Sequence, residues 1–329
     1  MSFALRPRVE RPPVSPIRSL LFVPGSDEKR VPEAPSTGAD AVVLDLEEPE
    51  TPMSKAVRER AQRVAGDFLR ERPPCEPARA PEGPRGGEPL WFVRTRAPST
   101  GFMWSDLRAV VSPALTGILL PKIRGPEDVV AADALLLAAE TETGLPQRSI
   151  RLYPILETAD ALRLAYEIAM ASPRVAYMGG AVSRFGDIHQ AVGFTWTPGG
   201  RETHFLRSKV LVDARAAGIR YPISGMWGGD TSDRDGLRRW AVELREQGYY
   251  GMMLGAPQHI ADVHAVFTPK AEQIAYWKEL VRLAEEAEAR GTGPILYGDP
   301  DAGEGHQVHL AHVESARRNL EWAAGLGVA

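Results

Sequence analysis

Two carboxylates, Glu157 in Tyr-Pro-Ile-Leu-Glu-Thr-Ala (153–159) and Asp187 in Arg-Phe-Gly-Asp-Ile (184–188), have the residue type and setting to hold a hard divalent cation. Each follows an apolar run that reads as a buried strand, so both side chains would emerge at the same rim of a parallel sheet. Magnesium takes oxygen ligands, often only one or two of them carboxylates, and keeps positions open for substrate. Other charged residues fall at the ends of similar runs: Asp45, Glu47 and Glu48 after 41–44, Arg94 after 90–93 and Lys122 after 117–120. A cation held by two carboxylates opposite an arginine is suited to polarising a carbonyl and steadying an enolate.

The elements that must position these groups can be read from hydrophobic periodicity. Eight short apolar runs, at 20–23, 41–44, 90–93, 117–120, 151–155, 175–178, 220–223 and 249–254, alternate with longer stretches of helical character. Ala161, Leu164, Ala165 and Ile168 recur at helical spacing, as do Leu237, Trp240, Ala241 and Leu244, giving each helix an apolar face. Eight such units predict a (β/α)8 barrel, a fold of roughly 250 residues whose catalytic groups sit at the carboxyl ends of the strands. An open doubly wound sheet is the competing architecture. The expected organisation is a disordered lead-in over 1–17, a catalytic barrel over 18–268 and a C-terminal helical cap over 269–329. A Pro-, Gly- and Arg-rich insertion at 71–89 interrupts the barrel. In the cap, Thr268 and Pro269 start a long helix with Ile274, Trp277, Val281 and Ala284 on one face. A Gly-rich stretch at 291–305 then leads to a last helix at about 313–324.

Composition sets the broad class. The 329 residues are 43% hydrophobic and 25% charged with a net charge of -4, enough to bury a large core. No apolar stretch is long enough to cross a bilayer, and there is no basic tract for nucleic acid, so neither a membrane nor a nucleic acid is expected as partner. Cys75 is the single cysteine, which fits a reducing cytoplasm.

Seven motifs occur in order across about 250 residues: Arg18-Ser-Leu-Leu-Phe-Val-Pro-Gly25, Gly38-Ala-Asp-Ala-Val-Val-Leu-Asp-Leu-Glu47, Lys55 to Arg58, Phe92-Val-Arg94, Leu120-Pro-Lys122, Glu157-Thr158-Ala159 and Phe267-Thr-Pro269. With them the chain resembles the HpcH/HpaI aldolase and citrate lyase beta subunit family, which includes malyl-CoA and citramalyl-CoA lyases. The resemblance implies a metal-dependent barrel that interconverts a 3-hydroxyacyl-CoA with an acyl-CoA and a 2-oxo acid. By position, Glu157 and Asp187 correspond to the magnesium ligands, with manganese as the alternative ion. Arg94, Asp45 and Glu47 correspond to catalytic groups. Coenzyme A, as part of the substrate, is implied near Arg18, Phe22, Pro24, Lys29, Arg30, Lys55 and Arg58, with Lys122 and Trp227 also toward the substrate. A homotrimer or homohexamer is implied as well.

The chain departs from the family pattern near this site. Strand eight reads Gly251-Met-Met-Leu-Gly-Ala-Pro257, without the lysine and histidine of many relatives, and Ser224 stands where many have Asp. Before the last helix, Gln307-Val308-His309-Leu310 replaces a motif with Asp, which makes His309 a candidate proton carrier. Phe102, Trp104, Phe194, Trp196 and Trp227 cluster near the predicted rim, where they would suit a bulky 2-oxo acid used in the condensing direction. Two other functions compete: a CoA thioester hydrolase on the same barrel, and a non-catalytic barrel that binds a metabolite.

Overall fold

Each apolar run that ends in a charged residue becomes a strand of one parallel sheet, and the sheet curls until its ends meet. The computed structural model describes residues 9–75, 88–180, 182–291, 295–298 and 306–329. The strands are β1 (Ser19–Pro24), β2 (Ala41–Asp45), β3 (Leu90–Arg94), β4 (Leu115–Leu120), β5 (Arg151–Leu156), β6 (Gly179–Gly180), β7 (Ile223–Ser224) and β8 (Gly251–Leu254). They run in the order β6-β5-β4-β3-β2-β1-β8-β7. The backbone N–H of Ile223 donates to Met178 O at 3.3 Å and joins the two ends, so the expected (β/α)8 barrel is formed. Gly179 permits that approach: a Cβ there would lie 1.7 Å from Ile223 O.

Side chains alternate between two layers, as period-2 strands require. Leu20, Val43, Phe92, Leu119, Tyr153, Tyr177, Ile223 and Met253 fill the barrel interior. Leu21, Val42, Val93, Ile118 and Leu152 point outward and pack beneath the helices. The helix Lys55–Arg70 starts where Ser54 accepts a hydrogen bond from Val57 N and buries Val57, Ala61, Val64, Ala65, Phe68 and Leu69 along one stripe. Asp233 caps Arg234–Gln247 in the same way, with Leu237, Trp240, Ala241 and Leu244 buried as their spacing predicts.

Several expectations need correction. The sixth run, 175–178, lies beside β5 through Ala176 N to Leu152 O at 3.1 Å, yet the regular ladder begins only at Gly179. The described part of the lead-in, 9–17, is ordered rather than disordered. Arg11 donates to Ala217 O at 3.1 Å, Ser172 O at 3.3 Å and Ala169 O at 2.5 Å, and also to Val175 O. Ile17 is fully buried, and Tyr177 Oη donates to Ser15 O at 2.9 Å. An arginine among proline residues gave no periodic signal, because its partners are carbonyl groups more than 150 residues away. Of the insertion expected at 71–89, residues 76–87 lie outside the described residues. At its described ends, Cys75 N donates to Pro113 O at 2.7 Å and Arg72 pairs with Glu88 at 3.5 Å.

The described residues fall into two compact units, one reaching Phe267 and the other Thr268–Ala329. In the second, the helices Ala271–Arg290 and Leu310–Gly325 are held by Trp277 against Trp322, with ring centroids 6.3 Å apart. The last helix thus begins before 313. Within the Gly-rich stretch, Ile295–Tyr297 forms a strand that pairs antiparallel with His306–Val308 just beyond it, which the composition did not suggest. Replacing Arg11 by alanine should lower stability by about 2 kcal/mol, the scale of lost hydrogen bonds to a charged group, as read from urea unfolding.

Candidate functional site

Strand register brings the first charged groups together. Pro24 pairs with Asp45 and Asp45 with Arg94, so β1, β2 and β3 end level with one another. The loops above are tied to the strands: Gly25 N donates to Asp45 O and Leu46 N to Arg94 O, both at 2.9 Å. Ser26 Oγ donates to Glu50 Oε1 at 2.6 Å, and Arg60 pairs with the same carboxylate, bracing the loops after β1 and β2. One residue beyond β5, Glu157 is fixed by its neighbour Thr158. The Thr158 hydroxyl accepts from Ala161 N at 3.0 Å and donates to Ile123 O at 2.8 Å.

Arg94 lies at the centre of one half of the site. Its Nε and Nη2 donate to the two oxygens of Asp45 at 2.8 and 2.7 Å, a fork that fixes the guanidinium plane. Nη1 lies 3.0 Å from Glu47 Oε2, and the Phe22 ring stands 5.3 Å from the guanidinium carbon. Burial opposes the charge of Arg94, but Asp45, Glu47 and Glu157 outweigh it and raise its pKa. Asp45 is therefore the residue that positions Arg94. Glu47 is 7% exposed, and burial raises its pKa against the pull of Arg94 and Lys122. Its Oε2 is buried without a hydrogen bond.

Lys122 organises the other half. Its backbone N–H donates to Glu157 Oε1 at 2.7 Å. Its ammonium lies 2.9 Å from Glu47, 2.8 Å from Glu48 and 3.6 Å from Asp187. Asp187 opens the helix Asp187–Val192, so the metal-ligand candidates Glu157 and Asp187 are linked through one residue. Burial pushes the Glu157 carboxyl up to about 7, helped by Glu47 and Asp187 and opposed by the Lys122 N–H and Arg94.

Five carboxyl groups, on Asp45, Glu47, Glu48, Glu157 and Asp187, thus face the two cations Arg94 and Lys122. That excess of acid fits a divalent cation. Among the described residues no three or more His, Cys, Asp or Glu side chains converge closely enough to form a ready-made metal site, and magnesium is a cation that can be held through only one or two carboxylates.

The remaining candidates are scattered. Arg18 does not reach the mouth: it precedes β1, at the opposite end of the barrel, where its fork on Asp40 closes at 2.8 and 2.7 Å beside His264. A strand of six residues, about 20 Å long, separates it from the carboxylates. Pro24 ends β1 at the mouth. Lys29, Arg30, Lys55 and Arg58 all follow β1 or β2 and so lie toward the same rim as the carboxylates; Lys55 is 87% exposed, and Arg58 leans on Met53 O at 3.5 Å. His309 belongs to the second unit, exposed at the start of the last helix, with the His312 ring 5.6 Å away.

Aromatic residues divide in two. Phe102 lies over Arg96 and Trp104 packs on the core. Trp196 and Trp227 occupy the segments after β6 and β7, which meet where Arg184 Nη1 approaches Gly228 O at 3.5 Å and stacks 5.0 Å over Trp196. Phe194 sits near His189, on the helix that Asp187 opens. Sequence reasoning did not single out Glu48 as a site residue, although its place beside Glu47 was a usable signal. The Ser26–Glu50–Arg60 brace left none.

Comparison with known proteins identifies the family and the fold. Residues 18–257 match the HpcH/HpaI aldolase/citrate lyase family. An L-malyl-CoA/beta-methylmalyl-CoA lyase of Cereibacter sphaeroides is 28% identical, covering 96% of each chain. A (3S)-malyl-CoA thioesterase of the same species is 28% identical over 94% of this chain and 96% of its own. Among solved structures, the protein CitE of Mycobacterium tuberculosis, in complex with magnesium, acetoacetate and coenzyme A, superposes with a TM-score of 0.65. It is 23% identical and covers 94% of this chain and 98% of its own.

The titration of Glu157 has a measurable consequence. Because its folded pKa is raised, its proton stabilises the metal-free fold fully below the unfolded value, and that contribution is lost as pH rises through about 7. A cation needs the ionised form. Magnesium affinity, measured calorimetrically, should therefore rise about tenfold per pH unit below 7 and level off above it. In Glu157→Gln, metal-free stability should become flatter with pH across this range.

Proposed function

From the premise that this chain belongs to the HpcH/HpaI aldolase/citrate lyase family, we propose that it is a magnesium-dependent carbon–carbon lyase interconverting a 3-hydroxyacyl-CoA with an acyl-CoA and a 2-oxo acid. The observation that carries this reading is the Asp45–Arg94–Glu47 group, joined by Lys122 to Glu157 and Asp187. Glu157 and Asp187 would hold the ion, which supplies Lewis acidity toward the oxygens of the 2-oxo acid.

In the cleavage direction Glu47 takes the proton of the 3-hydroxyl group. Its burial, which raises its pKa, suits it to move a proton. The bond between C2 and C3 then breaks, C3 becomes the carbonyl carbon of the 2-oxo acid, and the bonding pair passes to the thioester as an enolate. Arg94, held flat by Asp45, stabilises the enolate oxygen. Return of the proton from Glu47 to C2 completes the acyl-CoA. Condensation is the reverse. This scheme does not require His309.

Lys29, Arg30, Lys55 and Arg58 are the basic groups we assign to the CoA phosphates. Trp196 and Trp227 bound the segments beyond Asp187, which favours a bulky 2-oxo acid. Phe205 and Val212, seven residues apart on the helix Arg201–Ala216, are 73% and 65% exposed, which supports burial between subunits of a homotrimer or homohexamer. Among the described residues no helix is long and apolar enough to cross a membrane. The lone cysteine favours the cytoplasm.

The thioesterase relative motivates a second reading, hydrolysis of the CoA ester on the same barrel. Incubation with magnesium and a panel of 3-hydroxyacyl-CoA esters separates the two. A lyase releases a 2-oxo acid and acyl-CoA, whereas a hydrolase releases free thiol and no carbonyl product. Under the lyase reading, Arg94→Met should lower kcat by about 10²- to 10³-fold, the scale of losing a group that stabilises an oxyanion. A panel without any carbonyl product refutes it.

A further inference from the structure

Lys122 holds a position that chain geometry does not make easy. Its φ is 50°, in the left-handed region that lysine avoids, and this backbone aims its N–H at Glu157 Oε1, 2.7 Å away. From the same residue the ammonium reaches Asp187 at 3.6 Å, Glu47 at 2.9 Å and Glu48 at 2.8 Å. Glu48 is 59% exposed, against 38% for Asp187 and 7% for Glu47, so the contacts of Lys122 run from the buried side of the cluster to solvent.

We infer that Lys122 is a built-in stand-in for the divalent ion, its ammonium neutralising Asp187 and Glu47 until the ion arrives and then withdrawing toward Glu48. This rests on the reading of Glu157 and Asp187 as metal ligands. Two cations cannot share Asp187 at close range without repulsion, so entry of the ion must loosen the longest of the three lysine contacts first. Glu48 gives the ammonium a partner at the solvent edge. The ammonium thereby offsets part of the negative charge that the ion later neutralises, and the ion meets ligands already close together.

The test uses the full chain and manganese as the probe, with free ion measured by electron paramagnetic resonance. Lys122→Met keeps the length of the side chain and removes its charge; it should bind manganese about tenfold more tightly, within the range of ordinary coupling between two sites. Unchanged or weaker binding by this variant, with unfolding at the wild-type temperature when loaded, overturns the inference. A second measurement on the wild type does not depend on the variant folding. Lys122 is 33% exposed and within reach of an amine-acetylating reagent. Mass spectrometry should find it modified at least about fivefold faster when manganese is bound, and an unchanged rate also overturns the inference. Failure of the underlying site has a different signature: wild-type protein that binds no manganese, or binds it equally well in Asp187→Asn and Glu157→Gln, refutes the ligand assignment itself.

Discussion

Crowding of negative charge at the mouth of the barrel is the constraint that governs this protein. Two like charges 4 Å apart in a partly buried site repel by about 4 kcal/mol at an effective dielectric constant of about 20. Asp45, Glu47, Glu48, Glu157 and Asp187 are nonetheless gathered within reach of Arg94 and Lys122. Such a cluster persists only if each carboxylate is fastened in place. Asp45 has the arginine fork, Glu157 a backbone N–H and Asp187 its place at the head of a helix. Glu47, whose pKa burial raises, is held by the two cations themselves, Arg94 at 3.0 Å and Lys122 at 2.9 Å, and Glu48 by Lys122 at 2.8 Å.

The barrel supplies the rigidity that makes this arrangement affordable. Its interior is packed with Phe92, Tyr153, Tyr177 and Met253, so the strand ends cannot shift to relieve the repulsion. The strand register sets Asp45 against Arg94 without any help from the loops. Closure depends on a glycine at 179, where a larger residue would collide with Ile223 O. The far end of the barrel is sealed by Arg11 and by Arg18 on Asp40, groups that share the charge types of the mouth but are fully engaged in holding the fold. An arginine at a strand start and one at a strand end therefore have opposite meanings.

That distinction also explains what could be read from the sequence. The eight strands, and the places of Asp45, Arg94, Lys122 and Glu157 at or just beyond the ends of four of them, were legible, because period-2 burial and a polar residue at the strand terminus leave a local pattern; Asp187 instead opens a helix, seven residues after β6 ends. Arg18 was misplaced because a motif records neighbours in the chain and not which end of the barrel they occupy. The anchoring of 9–17 was invisible because Arg11 binds carbonyl groups, which every residue has. The short β6 and β7 blurred their own boundaries, since two paired residues leave almost no periodicity. The left-handed backbone of Lys122 had no signature either: Leu-Pro-Lys announces an end to the strand, not the torsion that follows.

The most direct measurement is diffraction from crystals of the full chain soaked in manganese, collected where the metal scatters anomalously. A single strong anomalous peak is expected within coordination distance of carboxylate oxygens of both Glu157 and Asp187, on the side of the cluster that Arg94 faces. A peak elsewhere, or one bound by only one of these two carboxylates with the other turned away, would contradict it.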